Sequence, residues 1–155
     1  MTTHDTFVLE RRYPHPPARV FAALATPAAK RRWFAAGDHH DVISFAMDFR
    51  AGGRERAHYC MRAGTPFPGV EFTHEAEFVD IVPGERVVTA AVMDFAGRRI
   101  SATLVTMELS DDGIEGTRLV CTHQGAFFEG ADGPVLRQAG FVEILKRLGV
   151  ELDKA

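Results

Sequence analysis

No glycine-rich phosphate loop, dinucleotide fingerprint, nucleophile elbow or pair of zinc-type cysteines occurs in these 155 residues. Those absences speak against nucleotide-driven and nucleophilic hydrolase chemistry. Cysteine is scarce: Cys60 and Cys121 are the only two, each in a segment that reads as a strand. Nothing marks the chain for export, since Met1 to Phe7 lacks the basic and apolar regions of a signal peptide. The two cysteines are therefore expected to be reduced, buried thiols in a cytoplasmic protein. Long apolar runs are missing too, and none approaches the ~20 residues a membrane span needs.

Charge of one sign is also in short supply. The net charge of −3 and pI near 6.1 offer no general attraction to nucleic acid or anionic membrane. Arg11-Arg12, Lys30-Arg31-Arg32 and Arg98-Arg99 are short basic runs that read as solvated surface. No internal repeat or low-complexity linker divides the chain, and its length suits a single domain over residues 1–155. A chain of this size buries roughly two thirds of its unfolded surface, so it needs neither a disulfide nor a structural metal to fold.

What is present is an orderly succession of elements. Residues 6–13 alternate as a strand, and Pro16-Pro17 then suits a helix start carrying Val20, Phe21 and Leu24 at helical spacing. Thr26-Pro27 breaks that helix and begins a second short one, ending near Trp33-Phe34. Six runs of period two follow, at 41–49, 53–62, 71–81, 86–95, 98–109 and 116–125, separated by short turns rich in glycine, proline and aspartate. Connections that short imply antiparallel neighbours. The tail is a long helix with an apolar stripe of Val135, Leu136, Ala139, Phe141, Val142, Ile144, Leu145 and Leu148, with Pro134 in its first turn and Asp132 placed to cap it. The simplest architecture is α+β, a sheet of seven antiparallel strands curved around one long C-terminal helix, with two short helices after the first strand.

Four stretches carry a resemblance. "RRYPHPPARVFAALATPAAKRRWFA", "MDFRAGGRER" (47–56), "FVDIVPGERVVTA" (78–90) and "GTRLVCTHQGAFFEGAD" are similar to the START-like (SRPBCC) superfamily. Within it they resemble the small bacterial homologues of the C-terminal domain of the activator of heat-shock protein 90 ATPase. Pro83-Gly84 stands where many relatives have two prolines, and Asp80 where many have glutamate. The resemblance covers nearly the whole chain. It implies a helix-grip fold whose sheet and long helix enclose an elongated, largely apolar cavity. It does not imply one activity, because the superfamily includes lipid and hormone binders, cyclases, ring-hydroxylase subunits and co-chaperone domains.

Cavity candidates follow from strand alternation. Phe45, Met47 and Phe49 share one face of a strand, Tyr59 and Met61 one face of the next, and Met93 and Phe95 that of another. Flexible methionines and flat rings make adaptable walls for a hydrophobic ligand, and they also make an ordinary core. Phe72, His74 and Phe78 form the apolar face of the strand at 71–81, while Leu119, Cys121 and His123 should face the long helix. Phe141 is the helix residue expected to meet them. Two inward histidines can position a polar ligand group or serve as base and acid, although a histidine hydrogen-bonded on an apolar face is the commoner arrangement. Glu55 shares a face with Tyr59 and, if inward, would be a buried carboxylate with a raised pKa.

His123 should end the last strand at the cavity mouth, with Gly125 turning the chain and Phe127 and Phe128 forming a flap, while Glu129 and Asp132 stay in solvent. His39, His40 and Asp41 are adjacent residues whose side chains diverge, a poor chelate, so no metal is expected there. No cofactor and no catalytic residue is assigned. The leading function is binding of a small hydrophobic molecule. A co-chaperone-like domain acting on a chaperone or other protein partner is a second reading, and a cofactor-independent cyclase or dehydratase using His123 a third. Neither nucleic acid nor membrane is expected as a partner, and oligomerisation is left open.

Overall fold

The alternation of apolar and polar residues translates directly into strands. In the computed structural model, which describes residues 1–154, the order is β1 (Thr3–Tyr13), α1 (Pro17–Ala25), α2 (Pro27–Lys30), β2 (His40–Met47), β3 (Arg54–Met61), β4 (Glu71–Val82), β5 (Arg86–Phe95), β6 (Arg98–Asp111), β7 (Thr117–Phe127) and α3 (Pro134–Leu152). The strands form one antiparallel sheet in the order β1-β7-β6-β5-β4-β3-β2. From β2 to β7 the chain is a meander of hairpins. The two short helices carry it from β1 at one edge to β2 at the other. With α3 laid across the curved inner face, this is a helix-grip fold.

Proline begins each helix at a position where its missing N–H leaves no bond unmade. The second helix does not simply stop near Trp33. It widens into a π-helical turn over Arg31–Ala35, where the Ala36 N–H donates to the Arg31 carbonyl at 2.9 Å. Such turns recur beside functional sites. Here the turn buries Trp33, whose indole N–H donates to the Ala23 carbonyl at 2.9 Å, and brings Phe34 and Ala35 over the sheet.

The buried face of α3 is Arg137, Phe141, Leu145, Leu148 and Leu152, a stripe at intervals of three and four residues, with Glu151 buried beside it and paired with Arg32 and Lys154. It packs on Phe7, Tyr13, Cys121 and Met107 from the sheet and on Val20 and Trp33 from the helical layer. The expected stripe is thus right along most of the helix and wrong at its start. Val135 (80% exposed) and Leu136 (65%) stand out of the core, and Ala139 is exposed as well. In the first turn of α3 only Arg137 is buried, while Leu136 borders the cavity with most of its side chain exposed.

Replacing Leu145, which is fully buried, by alanine is expected to destabilise the protein by about 2–5 kcal/mol. Replacing exposed Lys146 should change stability by no more than roughly 0.5 kcal/mol. Urea melts of the two variants check the assignment of the face, and equal effects would refute it.

Among the described residues no helix is long and apolar enough to cross a membrane.

Candidate functional site

A cavity of about 230 Å³ lies between the inner face of the sheet and α3. At roughly 30 Å³ per water molecule, that is too large for a packing defect. Its floor comes from inward residues of five strands, β3 to β7, and its roof from Phe141, Ile144 and Arg147 of α3. Trp33, Phe34 and Ala35 of the π turn form one wall. Of the residues expected from sequence, Tyr59, Phe72, His74, Met93, His123 and Phe141 line it.

The other expected wall residues do not. Phe78 is fully buried and packs edge-on against Phe49, with ring centroids 5.1 Å apart. Met47 and Phe49 join the same main core, Phe49 meeting Phe21 at 5.7 Å. Phe45 packs on the small cluster of Ala35, Ala57 and Tyr59. Met61 ends β3, with its N–H bonded to the Val70 carbonyl. Phe95 lies beyond a bulge after Met93 and contacts Phe67. Cys121 lies deep in the main core, and burial pushes its thiol up to about 12, leaving it unreactive. Cys60, by contrast, is only half-buried, and both cysteines are free. Alternation told inside from outside, but the short helices and α3 each cover part of the inside face and turn it into solid core.

One polar cluster at the cavity is Lys30, Glu55 and His74, all buried. Lys30 comes from the end of α2, so the first residue of the run 30–32 is no surface charge. Its Nζ lies 2.5 Å from Glu55 Oε1, and its ammonium sits over the rings of Phe34 (4.8 Å) and Phe78 (5.3 Å). The other oxygen, Oε2, is 2.8 Å from His74 Nε2. Glu55 does face inward, but its carboxyl is not raised. Burial alone would raise it; the Lys30 charge and the His74 hydrogen bond outweigh that effect and hold it at about 2. A signal for Lys30 existed in the sequence: it lies four residues before Phe34, on the same face of a helix as an aromatic ring.

His123 occupies a different setting. Its ring is stacked between Phe7 (4.4 Å) and Phe127 (6.2 Å), with Phe141 edge-on at 5.0 Å. Both ring nitrogens are buried with no hydrogen-bond partner. Burial, then the charge of Arg137, pushes the ring down to about 4. His123 does not end the strand, because β7 runs on to Phe127, which pairs with Thr3 and Ser101. Gly125 makes no turn either. A Cβ there would come within 2.9 Å of the Phe127 ring and 3.2 Å of the His123 ring, so glycine makes room for the stack. Phe127 is thus core rather than flap, with the Arg137 guanidinium over its ring at 5.1 Å. Phe128 follows it, half-buried. Asp132 does not cap α3, whose N-cap is Gly133. Instead it holds Arg137 through paired bonds of 2.7 and 2.8 Å, and Arg137 also donates to Ser101 at 3.1 Å. Glu129 stays largely in solvent, next to the N-terminal ammonium.

The two histidines are far apart. Across the ladder His123 aligns with Val105, Thr89 and Phe78, and His74 lies four residues further along β4. Three strand spacings and four residue rises put them on the order of 20 Å apart along the sheet, so they cannot act as base and acid on one bond. In the stretch 37–42, His39 points outward and Asp41 pairs with Arg62. His40 turns in, 2.7 Å from the Ala35 carbonyl, and meets Tyr59 and Phe72 edge-on.

A fold with this cavity and this order of elements invites comparison with known proteins. The family described as "Activator of Hsp90 ATPase homolog 1-like protein" matches residues 14–153. The chain belongs to that family. Among solved structures, the Mll3558 protein from Rhizobium loti is 40% identical with a TM-score of 0.84, over 97% of this chain and 99% of that one. A protein from Rhizobium leguminosarum is 34% identical with a TM-score of 0.91, over 100% and 98% of the two chains. An AHSA1-like protein from Aeromonas hydrophila, at 21% identity and a TM-score of 0.68 over 96% and 92%, shares the fold. No curated protein matches the chain.

In this member of the Activator of Hsp90 ATPase homolog 1-like family, two pairs of the cavity's charged groups are balanced internally. Lys30 balances Glu55, and Arg137 balances Asp132. The remaining walls are aromatic and aliphatic apart from His40, His74, Thr89, Thr103, His123 and Arg147, whose guanidinium donates to the Trp33 carbonyl at 3.3 Å. Such a site can enclose an apolar body and fix it with a few directed hydrogen bonds.

Proposed function

We propose that this protein binds a small, mainly apolar molecule in the cavity between sheet and α3. The observation that carries this reading is a 230 Å³ space walled by Phe34, Tyr59, Phe72, Met93 and Phe141, in which Lys30 and Glu55 already pair with each other. That volume is below the roughly 300–1,000 Å³ of sites for drug-sized ligands, so the occupant is a compound of one or two rings or of similar bulk. A cyclase or dehydratase using His123 is not favoured, because both ring nitrogens are sealed among phenylalanines and reach no reactant. The free thiols of Cys60 and Cys121 suit a reducing, cytoplasmic setting.

Binding of two-ring aromatic probes, followed by calorimetry, should be saturable with one site per chain. Met93→Trp fills the cavity and should weaken binding at least tenfold with an unchanged circular dichroism spectrum. Phe45→Trp, at a residue outside the cavity, should leave affinity within about twofold. Absence of binding by every apolar probe would overturn the reading and leave a protein-interaction role in its place.

A further inference from the structure

His74 is held in a way that specifies what its free side can accept. Its Nε2 faces Glu55 Oε2 at 2.8 Å, and Nδ1 finds no hydrogen-bond partner among the described residues. Unlike the nitrogens of His123, Nδ1 is not sealed from contact, and the residue lines the cavity. Glu55 is ionised, and an ionised carboxylate only accepts hydrogen bonds. The proton of a neutral His74 ring must then sit on Nε2, which leaves Nδ1 as a bare lone pair. Lys30 already neutralises Glu55 at 2.5 Å, so no charge on the ring is needed to complete the set. The Lys30–Glu55–His74 chain thus fixes the tautomer as a second carbonyl or carboxylate does for many functional histidines.

Around that lone pair the walls are flat and apolar. Phe34 meets the His74 ring edge-on at 5.3 Å. Met93 is its direct cross-strand partner, and the neighbouring Tyr59 and Phe72 rings stack at 4.6 Å. We infer that the cavity is selective for a small aromatic alcohol or phenol, whose hydroxyl donates to His74 Nδ1 while its ring lies among Phe34, Phe72 and Met93. This rests on the binding reading above and names the chemistry the ligand must carry: a hydrogen-bond donor on an apolar plate. A ligand offering only acceptors would face a lone pair, and a carboxylate would face it with added repulsion.

The test compares 1-naphthol with 1-methoxynaphthalene by calorimetry at pH 8. The two share a ring system and differ in the donor. Wild-type protein should bind the naphthol roughly tenfold tighter, the yield of one buried hydrogen bond. His74→Phe keeps an aromatic ring and should bring the naphthol down to the affinity of the ether, leaving the ether unchanged. Glu55→Gln is more telling. Lys30 will claim the amide oxygen, so the NH2 faces Nε2 and forces the proton onto Nδ1. The preference for naphthol should then vanish or reverse in favour of the ether. Should either variant fold poorly, nitrogen chemical shifts of His74 in the wild-type protein report the tautomer directly, with Nε2 protonated and Nδ1 bare.

Equal binding of naphthol and ether by the wild type, or a proton found on Nδ1, would overturn the inference while leaving the cavity reading intact. Tighter binding of 1-naphthoate than of 1-naphthol would overturn it too, making a cation of the lining, Lys30 or Arg147, the anchor. Failure of all three compounds to bind would defeat both readings.

Discussion

Glu55→Leu will destabilise the fold by about 3–5 kcal/mol, the usual consequence of removing one partner from a buried ion pair. Glu55 is 1% exposed and Lys30 7%, so the ammonium left behind is largely cut off from solvent, with the faces of Phe34 and Phe78 beside it. His74 loses its fixed partner in the same step. The double variant Lys30→Met/Glu55→Leu should regain most of that loss, because a buried pair replaced by apolar side chains of similar size is often neutral or better. A double-mutant cycle in urea checks this. Equal stability of the single and double variants would show that the pair is not the source of the effect.

His123→Phe should make the protein more stable, and increasingly so in mild acid. The native ring is pushed down to about 4 by burial and by Arg137, whereas an unfolded histidine titrates near 6.5. Below about 6.5 the unfolded chain therefore takes up a proton that the native one refuses. Stability falls steadily from there until pH 4, where the native ring also protonates. The difference amounts to roughly 3 kcal/mol across that window. Phenylalanine in the same stack cannot titrate, and it removes two buried unpaired nitrogens. His40, also lowered by burial, and the carboxylates Glu55 and Glu151 are common to both proteins and cancel in the comparison. Unfolding curves at pH 7 and pH 4 should thus diverge by roughly 3 kcal/mol between wild type and variant. Parallel curves would mean that His123 titrates normally and that its burial is misjudged.

Phe141, Leu145 and Leu148 were legible as the inner face of a terminal helix, since their spacing admits one buried side. Period two along six runs did the same for the strands, and short turns made them antiparallel neighbours. The inward direction of His74 and His123 followed from the same alternation. Spacing is a local property, and these features depend on local spacing alone.

Partnership across the sheet is not local. Lys30 and Glu55 are separated by a helix turn, a loop and a strand, and only the closing of α2 over β3 and β4 brings them to 2.5 Å. That contact reversed the expected shift of Glu55 and took Lys30 out of solvent. Gly125 resembled a turn because glycine usually marks one; its role as the gap between two stacked rings depends on where Phe7, Phe127 and α3 come to rest. Asp132 looked like a cap until Arg137, one turn further on, took both of its oxygens. The sequence by itself determined the elements, their order and which face of each is buried, because hydrophobic periodicity acts within a segment. Only the tertiary structure decided which inward residues line a cavity, which pack solid and which charges meet, because distance across the sheet depends on where the helices settle.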